Sequence, residues 1–424
     1  MPLRLIVLLA SFPGVCMAGI DPVVTGIPLE FFLFGATLLG VALFHRHTLR
    51  TALLGLGVIV AYKCIVTGFP TGSGWVGLIG HLAHEWVTLA NLLGLLLGFA
   101  LLSRHFEKSR VPLILPRYLP DDWKGGLLLL AMVFVLSAFL DNIAAALIGG
   151  AMAHQLFRAR VHVAYLAAIV AASNGGGAGS VVGDTTTTMM WISGVAPADV
   201  LHAFVASTAA FFVFAIPAAR IQQAYSPILK NSHAHVHVDW VRIAIVGGML
   251  CAAVATNVVV NLFYPAWAES FPFVGVSVWC ALLLSLAWRR PDWEALPESC
   301  AGAFFLLSLV LCASLMPVEA LPTATWPVAF GLGFVSAVFD NIPLTALALR
   351  QGGHDWGMLA YAVGFGGSMI WFGSSAGVAL SSMYPEARSA GRWLRHGWPV
   401  AAAYVFGFFV LLAVLGWHPR PLRY

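Results

Sequence analysis

Ser137-Ala138-Phe139-Leu140-Asp141-Asn142-Ile143 and Ser336-Ala337-Val338-Phe339-Asp340-Asn341-Ile342 agree at Ser, Ala, Asp, Asn and Ile across one constant offset of 199 residues. Each copy lies inside an otherwise apolar stretch, 125–150 in the first half and 326–350 in the second. A weaker correspondence pairs Gly176, Gly177 and Gly183 with Gly366, Gly367 and Gly373. The chain is therefore read as two homologous halves, each with three helices, a hairpin turning at the Asp-Asn pair, a broken helix and a closing helix. That makes five full crossings per half. Five is odd, so the second half inserts upside down relative to the first, an arrangement that transporters use.

Composition agrees with a membrane location. Of 424 residues, 60% are hydrophobic and only 9% are charged, with a mean hydropathy of +0.88. No soluble core of this length needs so much apolar surface. Candidate spans of about 20 residues begin near Pro28, Thr51, Trp75, Asp199, Arg242, Pro272, Cys300 and Trp398. The fold class expected is an all-α polytopic membrane protein built of two inverted-topology repeats, each with a re-entrant hairpin and a discontinuous transmembrane helix.

The basic residues sort with that topology. Arg46, Arg50, Arg104, Lys108, Arg110, Arg117, Lys124, Arg158, Arg160, Arg220, Lys230, Arg242, Arg289, Arg290, Arg388, Arg392 and Arg395 fall on one side, and only Arg350, Arg420 and Arg423 on the other. Arg4 and Lys63 lie in the N-terminal segment and within a span. The crowded side is the cytoplasmic one by the positive-inside bias. A full crossing at 125–150 would scatter this pattern, so re-entry is preferred. The expected organisation is a signal peptide or extra span at 1–27, a first repeat at 28–218, a cytoplasmic His-containing linker at 219–240, a second repeat at 241–416 and a tail at 417–424. The net charge of +4 is thereby assigned to orientation, and no nucleic-acid partner is indicated. The six cysteines form no CxxC pair and are read as small buried hydrophobes. His233, His235 and His237 are read as solvated linker rather than as a metal site.

Polar chemistry concentrates at the interruptions. Asp141, Asp184 and Asp340 lie within apolar stretches, where a carboxylate costs several kcal/mol unless it meets water, a partner or an ion. The run from Asn174 through Gly175, Gly176, Gly177, Ala178, Gly179, Ser180, Val181, Val182 and Gly183 to Asp184 and Thr185–Thr188 supplies exposed backbone followed by hard oxygen donors. Such donors suit a small alkali cation. The second half offers Ser368, Ser374 and Ser375 without an acid, so the site is duplicated but unequal. The candidate ion-binding and proton-coupling residues are Asp141, Asn142, Asn174, Asp184, Thr185, Thr186, Thr187, Asp340, Asn341, Ser368, Ser374 and Ser375, with Na⁺ placed at Asn174, Asp184, Thr186 and Asp340. His81, His84 and Glu85 form a candidate pH-sensing cluster. Bland readings stand beside these: Asp141 and Asp340 suit helix N-caps, the threonines suit freed backbone groups, and the serines suit close helix packing.

SAFLDNI (137–143), NGGGAGSVVGDTTTTMMW (174–191), SAVFDNIP (336–343) and GGSMIWFGSSAGVA (366–379) resemble the signatures of the NhaD-type sodium/proton antiporters of the ion transporter superfamily. The resemblance implies exchange of cytoplasmic Na⁺ or Li⁺ for external H⁺, no cofactor beyond the transported ions, a homodimer, and a bacterial inner-membrane location. Ala144, Ala145 and Ala146 depart from the threonines that the resemblance leads one to expect. Citrate, dicarboxylate and arsenite carriers of the same superfamily share the architecture but resemble one another in neutral Ser-Asn-Thr motifs at both breaks. Asp184 and the two Asp-Asn pairs replace those motifs here, and their charge repels an anionic substrate. An intramembrane aspartyl protease also needs two aspartates, but Val181 stands where its first glycine belongs. The glycines of 175–183 miss the GxGxxG spacing of a dinucleotide site.

Overall fold

The computed structural model describes residues 23–24, 27–44, 47–114, 119–228, 237–264, 267 and 270–421. The expected signal segment, His233 and His235 of the linker, and Arg423 of the tail lie outside these residues. Apart from a short antiparallel pair, Val23–Val24 with Ile27–Pro28, the regular structure is helical. The first half contains α1 (Leu29–Leu43), α2 (Thr48–Tyr62), α3 (Gly74–Lys108), α4 (Trp123–Ser137), α5 (Asn142–Leu156), α6 (Val163–Ala178), α7 (Thr185–Ile192) and α8 (Ala203–Tyr225). The second contains α9 (Trp240–Phe263), α10 (Phe273–Ser285), α11 (Leu296–Ser314), α12 (Trp326–Ser336), α13 (Asn341–Gln351), α14 (Trp356–Gly366), α15 (Ser375–Met383) and α16 (Ala390–Leu415).

Among the described residues, six helical stretches are long and apolar enough to cross a membrane: Thr48–Thr67, Gly74–Lys108, Pro197–Tyr225, Trp240–Val260, Trp293–Ser314 and Ala390–Leu415. Their outward faces carry large apolar side chains such as Leu54, Val76 and Val414, each more than 60% exposed. Water disfavours such faces and lipid does not, so the chain is a polytopic membrane protein. The cysteine expectation is corrected here. Cys251 and Cys280 are exposed on α9 and α10, and Cys312 is the one described cysteine that is fully buried.

Helix α8 provides a ruler for the rest, since its 23 residues span roughly 34 Å. At its C-terminal end Gln222 Nε2 donates to Arg160 O at 3.0 Å and Gln223 Nε2 to Asp121 O at 3.2 Å. At the same end Tyr165 Oη donates to Gly126 O at 2.7 Å and packs edge-on against Phe157 at 5.3 Å. The start of α4 and the end of α5 thus lie together, and the pair folds back on itself through Ala138–Asp141. At the N-terminal end of α8, Asp199 meets Arg420, whose backbone N donates to His354 O at 3.0 Å. Here Gln351 Nε2 donates to Pro322 O at 2.6 Å and Trp326 packs 6.1 Å from Phe409. The α12–α13 pair therefore opens toward the end opposite to that of α4–α5.

Both broken helices pack against their hairpins through glycine backbone. A Cβ on Gly176 would overlap Phe134 O, and one on Gly366 would overlap Gly333 O. Gly183 meets Ser137 O and Gly373 meets Ala337 O in the same way. Each hairpin backbone thus touches its broken helix, an approach open only to glycine. Ser137 Oγ then donates to Ser173 O at 2.5 Å, and Ser336 Oγ to Val363 O at 2.7 Å. The backbone angles agree as well: φ is −52° at Asp141 and −55° at Asp340, and −143° at both Asp184 and Ser374. Replacing Gly176 or Gly366 by Ala forces the hairpin away from its broken helix, at a cost of about 1–3 kcal/mol. Thermal unfolding of the detergent-purified variants checks this, and an unchanged Tm would show that the contact is loose.

Chain following α16 closes the upper end, where α8 begins. Arg420 Nη1 bonds Asp199 Oδ1 at 2.5 Å, His418 N donates to Asp355 Oδ2 at 2.9 Å, and Trp356 Nε1 donates to Arg420 O at 3.0 Å. These residues line a cavity of about 240 Å³ with His202 and Met358. Beneath the strap His354 is buried, with Nε2 on Gln351 Oε1 at 3.1 Å. Burial disfavours its imidazolium and lowers its pKa from 6.5 to about 4. The unfolded state binds the proton more readily, so the stabilisation is complete above pH 6.5 and is lost as pH falls toward 4. Acidification to pH 5 is expected to cost this end about 2 kcal/mol. Hydrogen exchange over 416–421 should accelerate between pH 7 and pH 5 after correction for intrinsic rates, and His354→Gln should remove that dependence.

Candidate functional site

Helix α6 is buried along its whole length and ends at Ala178, and the backbone that follows packs closely on Phe204 at Gly179 and on Ser137 O at Gly183. The chain re-enters a helix at Asp184, which is 2% exposed. Asp184 Oδ1 accepts from Thr186 N at 3.1 Å, so the carboxylate caps α7 and lies at the positive end of its dipole. Asp184 Oδ2 faces Asn341 Nδ2 of the second hairpin at 3.4 Å. Among the described residues no lysine, arginine or histidine forms an ion pair with it. Thr187 Oγ1 donates to Ser180 O at 2.5 Å and Thr188 Oγ1 to Val181 O at 2.9 Å. These hydroxyls satisfy carbonyls freed by the break, as an interior without water requires. Thr186 Oγ1, by contrast, is buried with no hydrogen-bond partner within 3.5 Å among the described residues, Asp184 being the nearby carboxylate, and Thr185 is half-buried at the first position of α7.

In the second half the corresponding cap is Ser374, whose Oγ accepts from Gly377 N at 3.3 Å. Ser374 Oγ also receives Asn174 Nδ2 at 3.0 Å, and Ser368 Oγ receives the same nitrogen at 3.0 Å. Asn174 Oδ1 accepts from Asn142 Nδ2 of the first hairpin at 3.2 Å. Asp340 caps α13 through Ile342 N at 3.1 Å and accepts from Ser375 Oγ at 3.1 Å. Asp141 occupies the matching place at the tip of the first hairpin. Asn142, Asn174, Ser368 and Ser374 thus form one hydrogen-bonded group, and Asp184 joins Asn341 in another. The two meet where the breaks of α6 and α14 pass.

A buried carboxylate with one backbone N–H, one long amide contact and no basic partner keeps a charge that is only partly compensated. A proton or a bound cation removes that charge. Among the described residues no group of three or more His, Cys, Asp or Glu could hold a metal ion. The donors near Asp184 are carboxylate, hydroxyl and backbone oxygens, hard ligands that fit an alkali cation better than zinc or copper.

His81, His84 and Glu85 lie close together along α3. His81 Nε2 lies 2.8 Å from Ser314 Oγ on α11, and Glu85 pairs with Arg350 at 2.6 Å. His84 is exposed on the outer face of α3. The Glu85–Arg350 pair ties the end of the second hairpin to α3. Sequence reading missed it, although Arg350 stood out as an isolated basic residue on its side of the membrane.

No family model matches the chain. Over 101 residues it is 34% identical to Sodium/proton antiporter 1 of Arabidopsis thaliana, a stretch that makes up 19% of this chain and 18% of that protein. The likeness thus spans less than a fifth of that relative's length.

Proposed function

We propose that this chain is a secondary transporter exchanging Na⁺ or Li⁺ for H⁺ at Asp184, built as two inverted repeats of the NhaD type with re-entrant hairpins α4–α5 and α12–α13. The observation that carries the reading is a buried, unpaired carboxylate at the place where the two broken helices pass, beside an unpartnered Thr186 hydroxyl. The partial likeness to a plant sodium/proton antiporter supports the same class. Hairpins that open to opposite ends, with matched caps and glycine contacts, favour the inverted arrangement. The basic residues Lys124, Arg160 and Arg220 at the lower end would face the cytoplasm, with Arg350 and Arg420 outside.

Exchange follows from competition at one carboxylate. In the apolar interior its charge is tolerated only when neutralised, and a proton and a cation both do this. Each displaces the other, and rocking of the halves presents the loaded group to either side. An anionic substrate would meet the same carboxylate and be repelled, which disfavours a citrate or dicarboxylate carrier.

In everted vesicles of an antiporter-deficient host, Na⁺ or Li⁺ should collapse an imposed proton gradient, and Asp184→Asn should reduce the response to background at unchanged folded yield. Citrate uptake without any cation response would move the chain to the carboxylate carriers. Thr186→Ala should raise the half-saturating Na⁺ concentration about tenfold, a loss of about 1.4 kcal/mol; an unaltered value would remove Thr186 from the ion site.

A further inference from the structure

The two halves share backbone and glycine contacts at their breaks but not the chemistry presented there. Where the first break is capped by Asp184, the second is capped by Ser374 on the same φ of −143°. The side chain of Asn174 crosses from α6 into the second break. An amide nitrogen carries two N–H donors, and those of Asn174 face the hydroxyl oxygens of Ser368 and Ser374, each 3.0 Å away. Its carbonyl oxygen accepts from Asn142 Nδ2 at 3.2 Å. Hydroxyl oxygens that accept these N–H groups direct lone pairs at donors rather than at a cation. The amide hydrogens stand where a cation would stand.

The first break receives no amide from the opposite broken helix, only the longer contact from Asn341 of the second hairpin. The offset of 190 residues that carries Gly176 onto Gly366 carries Asn174 onto Gly364. A Cβ at Gly364 would lie 3.5 Å from Asp184 Oδ2 and 3.2 Å from the Cβ of Ala178. A side chain there would therefore reach the carboxylate. Because the residue is glycine, that approach to Asp184 is left open, with Asn341 Nδ2 at 3.4 Å as the neighbouring donor.

We infer that Asn174 is a built-in substitute for a second cation, so that each chain binds one monovalent cation, at Asp184, and that Gly364 keeps this site accessible. The inference rests on the exchange reading and adds its stoichiometry and the two residues that set it.

Equilibrium binding of radiolabelled Na⁺ to the purified full chain tests it. The wild type should bind one Na⁺ per chain. Gly364→Asn should bring an amide against Asp184 and weaken that binding at least tenfold. Asn174→Asp exchanges the amide donors for a carboxylate facing Ser368 and Ser374, and should add a second Na⁺. If that variant does not fold, Asn174→Ser, which also removes both N–H donors, should raise the stoichiometry above one at saturating Na⁺. Two Na⁺ per wild-type chain, or no gain from either Asn174 variant that folds, would overturn the inference while leaving exchange intact. A monodisperse wild-type chain that binds no Na⁺ would overturn the exchange reading, and the inference with it.

Discussion

A helix interrupted inside an apolar bundle has no water to satisfy its freed backbone groups, and this constraint shapes the centre of the molecule. The hydrogen bonds described at these interruptions come from the protein itself. Thr187 and Thr188 return their hydroxyls to the carbonyls of Ser180 and Val181. Asp184, Ser374 and Asp340 cap the helices that resume. Ser137 and Ser336 tie each hairpin to its broken helix. Glycine at 176, 183, 366 and 373 is the condition for that closeness. Polar groups accumulate at membrane depth first because the backbone needs them, and a cation site is then a modest further step.

Much of this architecture was legible in the chain itself. The Asp-Asn repeat located both hairpins, because a turn between two half-helices needs caps and the caps are short polar residues. The Gly-rich runs located both breaks, because backbone contact admits no Cβ. Long-range partners were not legible. Asn174 reaches Ser374 across 200 residues, and Glu85 reaches Arg350 across 265. Such pairings depend on how the halves pack, which no local spacing encodes. His81, His84 and Glu85, three and four residues apart on one helix, likewise have distant partners that spacing does not encode: Ser314 for His81 and Arg350 for Glu85.

The inequality of the halves matters more than their likeness. A symmetric pair of breaks would present the same donors twice. Here one break holds a carboxylate and the other two hydroxyls bridged by an amide from across the divide. The differences at Asp184, Asn174 and Gly364 give the two breaks unlike chemistry on like backbone.

The strap over the upper end bears on how the molecule is made. Asp199 must wait for Arg420, 221 residues further along, and Asp355 for His418, 63 residues along. At ordinary rates of synthesis the first delay is roughly 10–40 s. During that time α8 is already made while its upper end lacks the guanidinium that will neutralise Asp199. The nascent chain thus passes through an interval in which the Asp199 carboxylate lacks its guanidinium partner, and the upper end closes only once the last helix is made.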